Sequence, residues 1–208
     1  MRKLTLITAL LRPQNLLALQ ASIYNNLGTE LPWQWIIAVD GKFVPSLKII
    51  PPVNAHVFFC QNILKSYGFL EKNTALDLVE EDSWIYFMDD DTEVHPNFLN
   101  LFNRTLIENP NTRGMVFSQL LPDGTKRITP DKLPTYLGKI DMCQFVVKRS
   151  LIGSHRFLGS FGSDGEFFNR IYSEDPESFV FKEEIGFHHN NLRAGEHWTR
   201  EQGYGRLY

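Results

Sequence analysis

The chain lacks the features that would place it in several large classes. It holds only two cysteines in 208 residues, Cys60 and Cys143, both in apolar runs. Their number and spacing exclude a disulfide framework and a cysteine zinc site, and they read as buried thiols of a reducing compartment. There is no block of Lys or Arg and the net charge is −3, which leaves no electrostatic footprint for nucleic acid. No apolar run is long enough to span a bilayer. Met1-Arg2-Lys3 carries the charge of a secretion signal, but the apolar run after it is short and has no small-residue cleavage site. It reads instead as a first strand, and the expected location is cytoplasmic, with peripheral membrane association left open. Internal repeats and linkers are missing, so residues 1–208 read as a single domain.

What is present alternates. Leu4 to Leu10 has strand character, and Pro13 can open a helix continued by Leu16, Leu19, Ile23 and Leu27 at helical spacing. Trp35 to Val39 is a second strand ending at Asp40-Gly41, Pro45 to Pro52 a loop, and His56 to Cys60 a third strand. Glu71 to Glu81 reads as a helix, Trp84 to Met88 as a fourth strand, and a helix from Pro96 runs to Asn109-Pro110. This rhythm predicts an α/β fold, a mostly parallel sheet with helices on both faces. The second half continues with strands at Met115 to Leu121, Ile140 to Lys148 and Ser178 to Phe187. Pro122 to Thr125 has the composition of a hairpin turn, and Ser163-Asp164 resembles the start of a helix. A polar tail follows Asn190.

The chemistry concentrates at Asp89, Asp90 and Asp91, which follow the apolar run Trp84-Ile85-Tyr86-Phe87-Met88. Such a cluster belongs at the open end of a buried strand, because burying several like charges is costly. In extended chain Asp89 and Asp91 would point one way and Asp90 the other. Two convergent carboxylates form a hard-cation site for Mg²⁺ or Mn²⁺, and a diphosphate can supply further oxygens. Asp40 lies at another strand end, and ligands of open α/β sheets bind where strand order reverses.

The strand ending in Asp40, the helix with Asn73 and the run Tyr86 to Asp91 resemble the GT-A-fold glycosyltransferases, chiefly family 2, whose metal motif is written D-x-D. Tyr86 to Glu93 and Ile140 to Val147 are also similar to segments of the family 43 glucuronyltransferases. The resemblance implies a GT-A fold and an inverting hexosyltransferase that uses a nucleotide-sugar donor, with a UDP-sugar favoured, and a hydroxyl acceptor. It divides the chain into a nucleotide-binding half at about 1–95, an acceptor and catalytic half at about 96–190, and a mobile tail over 191–208. It assigns Thr8, Arg12, Asp40, Asn73, Asp89 and Asp90 to the nucleotide, although the family's tyrosine is missing from the run Thr8 to Pro13. Asp89 and Asp91 become metal ligands, joined by His188 or His189, with His188 preferred. The catalytic base falls on Asp164, with Glu166 as the alternative from family 43. Arg193, His197, Trp198 and Arg200 become a lid, and the apolar second half leaves room for a homodimer.

Three other classes compete. A haloacid-dehalogenase-type phosphohydrolase also places D-x-D after an apolar strand, but two strand–helix units precede the motif here and Glu93 stands where that family has Thr or Val. A nucleotidylyltransferase would need a glycine-rich loop after the first strand, and Thr8 to Pro13 contains no glycine. A catalytically silent carbohydrate- or nucleotide-binding module on the same fold remains an alternative.

Overall fold

The computed structural model describes residues 3–28, 33–40, 54–60, 68–127, 140–159 and 162–193. The first strand, β1 (Leu4–Leu10), is buried at all seven positions. Successive side chains of a strand point to opposite faces, so burial of every one means that both faces of the sheet are covered here. One 3₁₀ turn at Pro13–Asn15 leads into α1 (Leu16–Leu27), where Leu16, Leu19, Ile23 and Leu27 are buried. The strands β2 (Trp33–Asp40), β3 (Ala55–Cys60) and β4 (Trp84–Phe87) join β1 in parallel, in the order β3-β2-β1-β4.

Between β3 and β4 lies α2 (Phe69–Leu76), shorter than the Glu71 to Glu81 helix expected, with a run of turns continuing to Val79. It enters through Gly68, whose φ is +81° and whose added Cβ would lie 2.7 Å from the Cβ of Ala9. Only glycine allows that backbone turn and that approach to β1.

The second half is β5 (Glu93–Val94), α3 (Phe98–Glu108), β6 (Gly114–Leu120), β7 (Lys126–Arg127), β8 (Phe145–Lys148), α4 (Arg149–Ile152), α5 (Ser163–Glu174) and β9 (Phe179–His188). These strands extend the sheet to β3-β2-β1-β4-β8-β6-β9-β5, with β7 paired to β6. Parallel order therefore holds over β3 to β4 and between β6 and β9, while β8 joins β4 and β6 antiparallel to both. The turn at Pro122 to Thr125 does close the β6–β7 hairpin, with the Thr125 carbonyl accepting from Leu121 N–H.

One expected strand is interrupted. The run from Ile140 begins with a 3₁₀ turn at Met142–Gln144, and only Phe145–Lys148 is extended. Asp141 caps that turn: its carboxylate accepts from Cys143 N–H at 2.9 Å, and the Gln144 side chain accepts from Asp141 N–H at 3.0 Å. This reciprocal capping outweighs the β-type composition of the run.

Tyr86 and Phe87 show how β4 serves two cores. Tyr86 stacks on Phe187 at 4.2 Å beside Phe98, while Phe87 meets Phe157 and Phe167 at 5.0 and 5.6 Å. Sheet packing leaves no slack at Gly114, where an added Cβ would lie 2.2 Å from a ring carbon of Phe179. A Gly114→Ala variant is expected to lose about 1–3 kcal/mol through overpacking. A urea midpoint equal to that of the wild type would contradict the packing described.

Candidate metal and nucleotide site

Strand order reverses between β1 and β4, since β2 and β3 lie on one side of β1 and β4 on the other. The carboxyl ends of both strands open there. Met88 N–H still donates to the Ile7 carbonyl at 2.9 Å, but the chain then turns at residues 90–91, and Thr92 N–H donates to the Asp89 carbonyl at 3.2 Å. The turn breaks strand alternation, so each aspartate meets its own partners.

Asp90 closes the end of β1. Its Oδ2 accepts from Leu11 N–H at 2.7 Å and from Arg12 N–H, its Oδ1 accepts from Arg12 Nη1 at 2.7 Å, and its carbonyl accepts from Asn15 Nδ2 at 2.9 Å. Burial raises its carboxyl pKa despite the Arg12 guanidinium. Asp91 Oδ2 accepts from Arg193 Nε at 2.6 Å and lies 3.3 Å from Arg12 Nη1. Burial and the Asp89 charge push Asp91 up to about 6 against the pull of Arg193. Asp89, about a third exposed, accepts from the Lys72 ammonium, and its N–H points to Cys143 Sγ at 3.3 Å.

A second acidic centre adjoins the first. Asp141 Oδ2 accepts from Arg127 Nη1 at 2.7 Å and lies 3.8 Å from His189 Nδ1. Burial opposes ionisation of Asp141, but the attraction of His189 and Arg127 outweighs it and holds the carboxyl well below its usual range. Burial, with the neighbouring Arg127 charge, lowers His189 to about 4 against the pull of Asp141. Asp164, in the first turn of α5, is pushed up to about 7 by burial and by the Asp141 and Asp89 charges.

The predicted site residues thus divide. Arg12, Asp89, Asp90, Asp91, Asp164 and His189 gather around the β1–β4 crevice or the adjoining Asp141. Thr8 points into the core, where its Oγ1 accepts from Trp35 Nε1 at 3.0 Å. Asn73 brackets the Phe157 backbone with two 2.9 Å hydrogen bonds. Glu166 is exposed on α5. His188, preferred over its neighbour from sequence, instead packs its ring 4.9 Å from His95, and it is His189 that is buried beside Asp141. The backbone of Asp40 ends β2, while its side chain, the Pro45 to Pro52 loop and His197, Trp198 and Arg200 lie outside the described residues. The start of the tail folds onto the site: Leu192 N–H donates to the Asp91 carbonyl at 3.0 Å, beside the Arg193 bond.

Lys72, Arg127, Asp141 and Cys143 were not among the site residues expected from sequence. Lys72 did leave a signal, because it stands three residues after Phe69 and three before Ala75, on the buried face of α2. Asp141 is the only acidic residue between Ile140 and Val147.

These donors suit a divalent cation. Ligand atoms of Asp89, Asp141 and Cys143 all lie within 4.8 Å of one another. Asp91, expected from sequence to share the ion with Asp89, falls outside this group, although its Oδ1 is buried with no hydrogen-bond partner. Burial and the Asp89 and Asp141 charges raise the Cys143 thiol well above its usual range while no cation is present. The two carboxylates suit a hard ion, and a thiolate at the same place suits a softer one.

The sheet order and helices are those of the GT-A glycosyltransferase fold. The fold is seen in S. aureus TarS 1–349 in complex with UDP-GlcNAc, which matches at a TM-score of 0.66 and 14% identity over 90% of this chain and 58% of that one. The same fragment in complex with UDP gives 0.66 and 14% over 90% and 60%. A longer TarS structure gives 0.61 and 12% over 90% and 36%. The chain therefore spans about three-fifths of TarS 1–349. The likeness to the family 43 glucuronyltransferases is not shown by these neighbours. No family model and no curated protein matches the chain. No helix among the described residues is long and apolar enough to cross a membrane.

Proposed function

We propose that this chain is a divalent-metal-dependent, inverting glycosyltransferase of the hexosyltransferase class, moving a sugar from a UDP-sugar to a hydroxyl acceptor. The observation that carries this reading is the pair of carboxylates, Asp89 and Asp141, with ligand atoms within 4.8 Å of each other at the strand ends of a GT-A-type sheet. Asp164, at the start of α5, has its carboxyl pushed up to about 7 by burial and by those two charges. A base poised near the working pH gives the best compromise between being deprotonated and accepting a proton. Asp89, Asp91 and Asp141 would hold Mn²⁺ or Mg²⁺, which when bound neutralises charge on the departing diphosphate. Asp164 takes the acceptor O–H proton as that oxygen bonds to C1 of the sugar. The bond from C1 to the diphosphate oxygen breaks, and its electron pair leaves with the nucleoside diphosphate. Asp90 has the different task of fixing the β1 end, which holds Arg12 close to Asp91 Oδ2, the oxygen that Arg193 also meets.

A thermal-shift titration tests donor binding. UDP with Mn²⁺ is expected to raise the melting temperature, in line with about 2.7 kcal/mol of stabilisation at a ligand concentration 100 times Kd. UDP alone and a simple phosphate ester are expected to have little effect. No shift with UDP, GDP or dTDP in the presence of Mn²⁺ would contradict the reading.

A further inference from the structure

Lys72 is the least expected side chain of the site. It lies on α2, is 1% exposed, and its ammonium finds as acceptors among the described residues Asp89 Oδ1 and the Met142 thioether at 2.7 Å. A thioether is a weak acceptor, so the carboxylate is the one strong partner of an enclosed cation. That carboxylate is also the one the metal-capable group shares.

Among the described residues, four carboxylates, Asp89, Asp90, Asp91 and Asp141, are each paired with basic groups, drawn from Lys72, Arg12, Arg193 and Arg127. Leaving Asp164 aside, the charges of these eight groups sum to zero. The three arginines are 13–26% exposed, whereas Lys72 is enclosed. A dication at Asp89 would sit close to a fixed ammonium in a medium of low dielectric, where repulsion is strong.

We propose that Lys72 is a built-in counter-cation that fills the electrostatic place of a metal ion at Asp89 and thereby sets the metal affinity of the site. The inference rests on the reading of Asp89 as a cation ligand in the proposed transferase. The free protein holds Mn²⁺ weakly, and the extra negative charge of a diphosphate is what draws the ion in. Lys72 also keeps the acidic crevice folded while no metal is bound, because removing it would leave Asp89 without its cation.

The test is Mn²⁺ binding to the full chain without nucleotide, followed by the electron paramagnetic resonance signal of free Mn²⁺ and by melting temperature. Lys72→Met is expected to bind Mn²⁺ at least tenfold more tightly than the wild type, and Lys72→Arg to match the wild type. Mn²⁺ is expected to raise the melting temperature of Lys72→Met and to leave that of the wild type unchanged. Lys72→Gln provides the same reading should the methionine variant fold poorly. Equal or weaker Mn²⁺ affinity in the methionine and glutamine variants overturns the proposal, as does failure of Mn²⁺ to restore folding to either. Sugar transfer has no part in these readouts. If the wild type binds UDP with Mn²⁺ but the Lys72 variants gain no affinity for the ion, only this inference fails. If the variants gain Mn²⁺ but no form binds UDP, the transferase reading fails and the counter-cation stands.

Discussion

Asp164→Asn is expected to lower kcat for sugar transfer by about 10²–10⁴-fold, the usual contribution of a positioned general base. Nucleotide binding should persist, because the variant leaves Asp89, Asp91 and Asp141 in place. Glu166→Ala, two residues on and exposed, should keep near wild-type activity. In the wild type, transfer should rise with pH as Asp164 loses its proton, with a midpoint below the metal-free value of about 7, because a dication at Asp89 and Asp141 offsets charges that raise it. Stability moves the opposite way. Folding raises the Asp164 pKa from 3.8 to about 7, so the folded chain binds the proton more tightly than the unfolded chain across that range. Stability from this group is therefore full at low pH and is lost as pH rises from about 4 to about 7. Asp164→Asn removes that loss, so at pH 8 it should melt above the wild type while transferring little sugar. An active Asp164→Asn with an active-site loss in Glu166→Ala would move the base to Glu166.

Asp90→Ala is expected to be the other large effect, and it acts on folding. Asp90 is 3% exposed and holds Leu11 N–H, Arg12 N–H and the Arg12 guanidinium. Breaking a buried ion pair from one side costs about 3–5 kcal/mol, and Arg12, at 26% exposed, recovers some of that from water. A loss of about 3 kcal/mol in chemical denaturation is the expected result. A midpoint within experimental error of the wild type would show that Asp90 does not tie the β1 end to the β4 end.

The contrast within the triplet marks what the sequence could reveal. Apolar runs located β1, β2 and β4 and put the aspartates at a strand end, because burial of both sheet faces leaves a direct trace in residue type. Alternation then failed at Asp90 and Asp91, where the chain turns and each carboxylate follows its own hydrogen bonds. The same limit applies at Ile140 to Lys148, where the capping carboxylate of Asp141 overrode a β-type composition. Asp141 meets Asp89 only because β8 inserts antiparallel between β4 and β6, a pairing that local periodicity does not encode. The neighbours His188 and His189 show the problem at its smallest scale: sequence put a histidine at the strand end, but only the packed structure determined which ring meets Asp141. Lys72 was legible in principle from its place on the apolar face of α2, while its partner Asp89 was 17 residues away.

The central claim is that the carboxylates beyond β4 bind a divalent ion together with a nucleoside diphosphate. The most direct measurement is an anomalous-scattering map from crystals grown with UDP and MnCl₂. The account expects one manganese peak bonded to oxygens of Asp89 and of Asp91 or Asp141, with the diphosphate completing its coordination. Ordered UDP with no manganese at those carboxylates, or a manganese peak elsewhere on the chain, would contradict it.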